Sequence, residues 1–383
     1  MPHCNKKMLS FFLTTKCNLC CRYCYNAKER CEINEQTLSL EIAQAAVDWY
    51  FSKESSRHIR FYGPGEPTQE FELMKQITQY AKNHPNRGRD VSVEIQTNGV
   101  FHEDVCAWIL ENANIVWMSF DGTRDIQDYN RPLNPLYAEE FKKRSSSAIL
   151  ENNVRWLIEH SANRDLMVGA RVTITDGNIE QQKKLVEYFY SLGIRYVWTD
   201  PVFYSVGKKP VCEDENKKDS MSFDMNKYVN AFLEAYYYAK EIGMFWGSFL
   251  IVNFDGESCY HCRSCTPLSA PHITPDGYIS ACDMVLMGSQ AFHMSPFVVG
   301  KWNKDSRRFE LDNDKIRLLN ERKSINMEHC KHCPVQMHCG GYCLGEIVNE
   351  CGRLDGCNQV KCAAIRYLFK KIGECEPFQY LHP

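Results

Sequence analysis

An α/β fold built on parallel strands is predicted for this 383-residue chain. Three observations predict it. Short β-rich runs alternate with amphipathic ones up to about residue 205, six strand candidates fall in that stretch, and helix-length segments lie between them. Strands alternating with helices imply right-handed βα units and a parallel sheet, either open or an incomplete barrel.

Taken in order, "LSFFLT" from Leu9 is the first strand candidate, and "LSLEIAQAAVDWYF" is the amphipathic run after it. "IRFY" (Ile59 to Tyr62) leads into "FELMKQITQYAKNH", then come "VSVEIQ" (Val91 to Gln96) and "IVWMSF" (Ile115 to Phe120). "LMVGARVTI" (Leu166 to Ile174), "NIEQQKKLVEYFYSLG" and "IRYVW" (Ile194 to Trp198) complete the alternation. A charged loop, Gly207 to Ser220, marks a module boundary. The helix "DMNKYVNAFLEAYYYAKEIG" follows, with an aromatic stripe that reads as packing. From about residue 255 the composition turns to Cys, His and Gly with little periodicity, as in a module held by metal sites. The expected division is residues 1–206, a linker and bridging helix at 207–254, and a C-terminal module at 255–383 that ends in a helix.

Composition narrows the function. Hydrophobic residues make up 44% and charged residues 24%, as in soluble globular proteins. A net charge of −3 with no basic run predicts neither a nucleic-acid nor an acidic-membrane partner. Met8 to Leu13, the apolar stretch near the start, is too short to span a bilayer and lacks a cleavage site, so a cytosolic location is expected. In a reducing compartment the 20 cysteines read as metal ligands rather than disulfides.

"CNLCCRYC", residues 17 to 24, begins just after the first strand, on the face where βα proteins gather ligands. Cys17, Cys21 and Cys24 have the spacing C-x3-C-x2-C. Iron–sulfur cubanes normally take four thiolates, so three leave one iron open. This spacing resembles the radical S-adenosylmethionine superfamily, whose open iron chelates the cofactor's methionine, and residues 9 to 205 carry the resemblance. The resemblance implies a partial (β/α)6 barrel. It sets Tyr23 beside the adenine, and "GPGEP" (Gly63 to Pro67) where the family has Gly-Gly-Glu-Pro, with Gly63 and Gly65 letting backbone approach the cofactor and Glu66 as counter-ion of its amino group. Pro64 departs from that pattern and stiffens the turn. Ser119 in "SFDG" resembles a ribose contact, and Thr97 and Asn98 end the third strand similarly. Arg131, Arg171 and Asp121 are further candidates for cofactor or substrate, while Cys20 reads as a small apolar residue of the loop.

Downstream, Cys265, Gly277 and Cys282 precede "CKHCPVQMHCGGYC", which holds Cys330, Cys333, Cys339 and Cys343, and Cys362 comes later. These spacings resemble the SPASM extension of the same superfamily, a loop-rich domain with two auxiliary [4Fe–4S] clusters. The resemblance assigns Cys259, Cys265, Cys282 and Cys343 to the first and Cys330, Cys333, Cys339 and Cys362 to the second, with Cys262 and Cys357 as substitutes. Structural zinc is the competing reading of "CKHC".

The implied cofactors are S-adenosylmethionine and three [4Fe–4S] clusters. One electron from the open cluster splits the sulfonium, and the resulting 5′-deoxyadenosyl radical takes hydrogen from an unactivated carbon. The leading expectation is a maturase of a ribosomally made peptide, forming a thioether or carbon–carbon cross-link or another modification. Leader recognition then falls to the barrel, the SPASM module or another protein, because the first strand begins near Leu9. The runner-up is an anaerobic sulfatase maturase, which makes formylglycine from Cys or Ser with an aspartate base directly after a cluster cysteine; Asp283 directly follows Cys282. Small-molecule or tetrapyrrole oxidation comes third, and a multi-cluster electron carrier or zinc module is the non-enzyme rival. The implied partners are a peptide or protein substrate and a low-potential donor such as flavodoxin or ferredoxin.

Overall fold

The computed structural model describes residues 7–26, 34–88, 90–203, 223–256 and 268–376. The six anticipated strands are β1 (Leu9–Phe12), β2 (His58–Tyr62), β3 (Ser92–Thr97), β4 (Ile115–Ser119), β5 (Met167–Ile174) and β6 (Tyr196–Pro201). They pair in sequence order and all in parallel, in registers such as Leu9↔Ile59, Ile95↔Val116 and Thr173↔Asp200. Every residue of β1 and β2 is buried, as parallel strands covered on both faces must be. Among the described residues, six α-helices lie in the connections: α1 (Leu40–Lys53), α2 (Phe71–Asn83), α3 (Glu103–Asn112), α4 (Arg124–Asn130), α5 (Ser146–Ser161) and α6 (Gln182–Ser191). Ser39 caps α1 by accepting from the Ile42 N–H, and its inner face sinks Ala43, Ala46, Val47 and Tyr50 into the core. Among the described residues no helix is long and apolar enough to cross a membrane.

The sheet then outgrows the expectation at both ends. Helix α7 (Met225–Glu241) turns Tyr228 and Phe232 inward, and the Tyr228 hydroxyl donates to the Thr199 carbonyl at 3.0 Å. Its aromatic stripe is packing, as predicted. Next, β7 (Phe245–Gly247) pairs in parallel with β6, a seventh βα unit inside the stretch read as linker. The anticipated charged loop lies outside the described residues.

At the other edge β8 (His272–Ile273) pairs in parallel with β1, and β9 (Tyr278–Ser280), β10 (Val298–Asn303) and β11 (Arg308–Leu311) follow in antiparallel order. The result is one sheet ordered β11-β10-β9-β8-β1-β2-β3-β4-β5-β6-β7. Helices α8 (Asn313–Glu321), α9 (Gln336–Cys339), α10 (Leu344–Cys351) and α11 (Gln359–Ile372) complete the C-terminal region. That region is more regular than its missing periodicity suggests, because strands of two and three residues leave no alternating signature.

Candidate active site

The carboxyl ends of β1 to β6 open onto a cavity of about 170 Å³, whose wall includes Cys17, Cys21 and Cys24. The cysteine loop is pinned by the end of α4 and the segment after it: the Cys20 and Arg22 N–H groups donate to the carbonyls of Pro132 and Asn130, each at 2.9 Å. Below it, Asn98 Nδ2 donates to Asn18 Oδ1, and Asn18 Nδ2 to the Val100 carbonyl, each at 2.7 Å. Cys20 is exposed and does not line the cavity. The Cys21 thiol is pushed up to about 12, first by enclosure and also by its neighbours Cys17 and Cys24. Crowded thiols of this kind lose their protons only to a positive centre, and a metal supplies one. No three His, Cys, Asp or Glu side chains among the described residues converge as they would on a single ion; the trio instead stands round the cavity wall, and its donor set suits an iron–sulfur cluster.

Gly63, Gly65 and Glu66 of the 63–66 turn line the same cavity, and the two glycines also pack against the chain behind them. A Cβ on Gly65 would overlap the Thr14 carbonyl and come 2.6 Å from the Lys16 carbonyl. Gly63, at φ +144°, presses on Phe12. Both glycines therefore seat the turn against the exit of β1, and the Glu66 N–H locks it by donating to the Lys16 carbonyl at 2.8 Å. Glu66 is buried, and burial raises its affinity for a proton against the hydrogen bonds it accepts. Its Oε1 accepts from the Thr68 N–H and from the hydroxyls of Thr68 and Thr97 (2.7 and 2.6 Å), while Oε2 accepts from the Asn98 N–H at 2.7 Å. Thr97 and Asn98 thus clamp this carboxylate, and Oε2 retains a lone pair for another donor.

Across the cavity Asp121, fully buried, ties three candidates together. Its Oδ2 accepts from the Tyr23 hydroxyl at 2.5 Å and pairs with Arg131 Nε at 3.2 Å, and Oδ1 accepts from the Thr173 N–H at 3.0 Å. Arg131 also lies 5.1 Å over the Tyr23 ring, and its Nη1 stands 4.0 Å from Cys21 Sγ. Burial disfavours the guanidinium's charge, but Asp121, Tyr23 and Cys21 outweigh it and hold the group above its ordinary value. Ser119 ends β4 in register with Arg171, which pairs with Asp200 at 3.3 Å, and all three line the cavity.

Asp283 also lines this cavity, delivered by the turn after β9. Tyr62 donates to its Oδ2 at 3.1 Å, and the hydroxyls of Tyr62 and Tyr25 are 3.4 Å apart. Burial, then Asp283, pushes Tyr62 up to about 12, so it stays a neutral donor. Sequence reasoning missed Tyr62, Tyr25 and Asp200. Tyr62 and Asp200 stand at the carboxyl ends of β2 and β6, a position that could have flagged them.

Of the cysteines assigned to the first auxiliary set, Cys282 and Cys343 come together, and a Cβ on Gly345 would meet Cys282 Sγ at 2.6 Å. Cys259, Cys265 and the substitute Cys262 lie outside the described residues. All four assigned to the second set, Cys330, Cys333, Cys339 and Cys362, line a smaller cavity that Cys357 shares. Burial pushes Cys330 up to about 11 and Cys339 to about 12.

Residues 11–203 match the model of the Radical SAM superfamily. The chain belongs to that superfamily. Radical SAM membership makes it an enzyme, not a carrier or zinc module, and brings S-adenosylmethionine and a [4Fe–4S] cluster. Among characterised relatives, a serine-type anaerobic sulfatase-maturating enzyme of Klebsiella aerogenes is 23% identical over 345 residues, covering 85% of this chain and 76% of the relative. The structure of anSMEcpe with bound AdoMet superposes with a TM-score of 0.74 at 17% identity, covering 95% of this chain and 96% of that one. Streptococcus suis SuiB bound to precursor peptide SuiA gives 0.59 at 14% identity, covering 93% and 75%. These two likenesses establish the Radical SAM fold over nearly the whole chain.

Proposed function

We propose that this radical SAM enzyme is a maturase that oxidises a side-chain or backbone carbon of a peptide or protein. One observation carries the reading: Asp283, from the C-terminal region, shares a cavity with Cys17, Cys21 and Cys24. Cys17, Cys21 and Cys24 would hold the open cluster, and Tyr23, Gly63, Gly65, Glu66, Ser119 and Arg131 the cofactor. When bound, these groups supply reductive cleavage of the sulfonium, hydrogen-atom abstraction and uptake of the electron left behind. The protein's own part is to orient and to move a proton. Asp283 accepts that proton from the substrate as the two-electron oxidation completes, and neutral Tyr62 holds the carboxylate in place. Glu66 Oε2 offers its remaining lone pair to the cofactor's amino group.

The C-terminal cysteines complete the proposal as ligands of two auxiliary clusters: Cys259, Cys265, Cys282 and Cys343, then Cys330, Cys333, Cys339 and Cys362. Division at residues 206 and 254, a cytosolic location and a flavodoxin- or ferredoxin-like donor belong to the same reading. Peptide cross-linking remains the leading reaction. Formylglycine formation is the second reading, favoured by Asp283 and by the sulfatase-maturating relatives.

Anaerobic turnover of Cys- and Ser-containing peptides, read by mass spectrometry with an aldehyde trap, separates them. A trapped aldehyde identifies formylglycine; loss of two hydrogens with nothing trapped identifies a cross-link. Release of deoxyadenosine with every peptide unchanged refutes the maturase. Asp283→Asn is expected to lower product formation by about 10²–10⁴-fold and to leave deoxyadenosine release within a few fold. Full turnover would remove the base.

A further inference from the structure

Arg322 follows α8 and is 6% exposed. Two of its nitrogens are satisfied: Nε donates to the Leu354 carbonyl at 3.0 Å and Nη2 to the Gly341 carbonyl at 3.3 Å. The third, Nη1, is buried without a hydrogen-bond partner. Nothing larger than glycine fits beside it, because a Cβ on Gly341, at φ +92°, would overlap Nη1.

Arg322 makes no ion pair with an Asp or Glu among the described residues; burial weakens the guanidinium's hold on its proton, and the ionisable groups that oppose this are thiols, Cys330, Cys339, Cys343 and Cys357. Cys343 belongs to one proposed set and Cys330 and Cys339 to the other, so a single cation faces both. Arg131, the cation beside Cys21, is balanced by Asp121. An enclosed guanidinium with no counter-charge is among the least favourable arrangements an interior can hold. A four-iron cluster on four thiolates is net negative, and a nearby positive charge stabilises its reduced form and raises its potential.

We propose that Arg322 is the buried counter-cation shared by the two C-terminal cysteine sets and raises the reduction potentials of the clusters they hold. The inference rests on the reading that these cysteines bind auxiliary clusters. Its test is an anaerobic redox titration followed by electron paramagnetic resonance. The iron-loaded full-length enzyme is compared with Arg322→Gln, Arg322→Met and Arg322→Lys, each also made with Cys17, Cys21 and Cys24 replaced by alanine so that only auxiliary signals remain.

The neutral variants are expected to shift the auxiliary reduction equilibrium at least tenfold toward the oxidised form, about 59 mV for one electron. The signal that depends on Cys17, Cys21 and Cys24 should stay put, and Arg322→Lys should retain most of the wild-type potential. Neutral variants that lose auxiliary iron while Arg322→Lys keeps it also support a need for the charge. Full iron with unshifted auxiliary potentials in Arg322→Met, or loss of iron in the lysine variant as well, overturns the inference alone. Wild-type protein holding only about four irons per chain overturns the auxiliary reading and the inference with it.

Discussion

The two cysteine-lined cavities are finished in opposite ways. Round Cys17, Cys21 and Cys24 stand a glycine turn, three carboxylates (Glu66, Asp200, Asp283), two arginines and several hydroxyls, in about 170 Å³. Round Cys330, Cys333, Cys339, Cys357 and Cys362 the space is about 40 Å³, and no carboxylate lines it. The first wall offers polar partners for a molecule that must enter, be oriented and leave. The second sets its thiols among neutral amides, His329 and Arg366 with no acidic group, which suits an anionic cluster. What surrounds the sulfurs, more than the sulfurs themselves, distinguishes the two cavities.

The largest effect should come from the first cavity. Cys17→Ala is expected to abolish deoxyadenosine release under dithionite and to remove about four irons per chain, leaving the C-terminal iron in place. Loss of all iron would mean that the two regions do not load independently. Next comes the choice that sequence left open in the second cavity. Cys362→Ser should cost about four irons and Cys357→Ser none, by iron assay and absorbance; the reverse result would move the fourth ligand to Cys357. A smaller change should follow Gly65→Ala, whose methyl meets backbone rather than a movable side chain. About 1–3 kcal/mol of stability should be lost in denaturant titration, with weaker cofactor binding.

The smallest test concerns the seam. His272, on β8, is stacked on Phe12 at 5.0 Å. Burial, and then Arg60, push its imidazole down to about 3, against an opposing pull from Asp283. Below about pH 6.5 the unfolded chain takes up a proton that the folded one refuses, so this contribution is complete above that pH and is lost as pH falls toward 3. Between pH 7.5 and 5.5, His272→Phe should lose about 1 kcal/mol less than wild type in urea titrations. Equal slopes would show that His272 is not the group responsible.

Much of the barrel was legible because parallel strands buried on both faces must be apolar, as "LSFF" and "IVWMS" are. The cysteine trio, Glu66 and Asp283 were legible as motif residues. The backbone packing of Gly65 and the hydrogen bond from Thr97 to Glu66 were not. Gly65 packs on backbone and Thr97 clamps Glu66, contacts made between loops that only the folded sheet brings together. Strands β7, β8 and β9 were hidden for a related reason: each has only two or three residues, and its partner rather than its own sequence makes it a strand; β10 and β11, six and four residues long, went unread. Arg322 carries no local mark at all.

The pairing of β8 with β1, Ser10 opposite His272 and Phe11 opposite Ile273, bears on any attempt to build chimaeras in this family. A foreign C-terminal half would have to dock as a strand in that same alignment, since slipping by a single residue turns each side chain to the opposite face. Asp283 follows ten residues after that joint, beyond β9. A swapped C-terminal region that lost this register would therefore re-aim the carboxylate inside the first cavity.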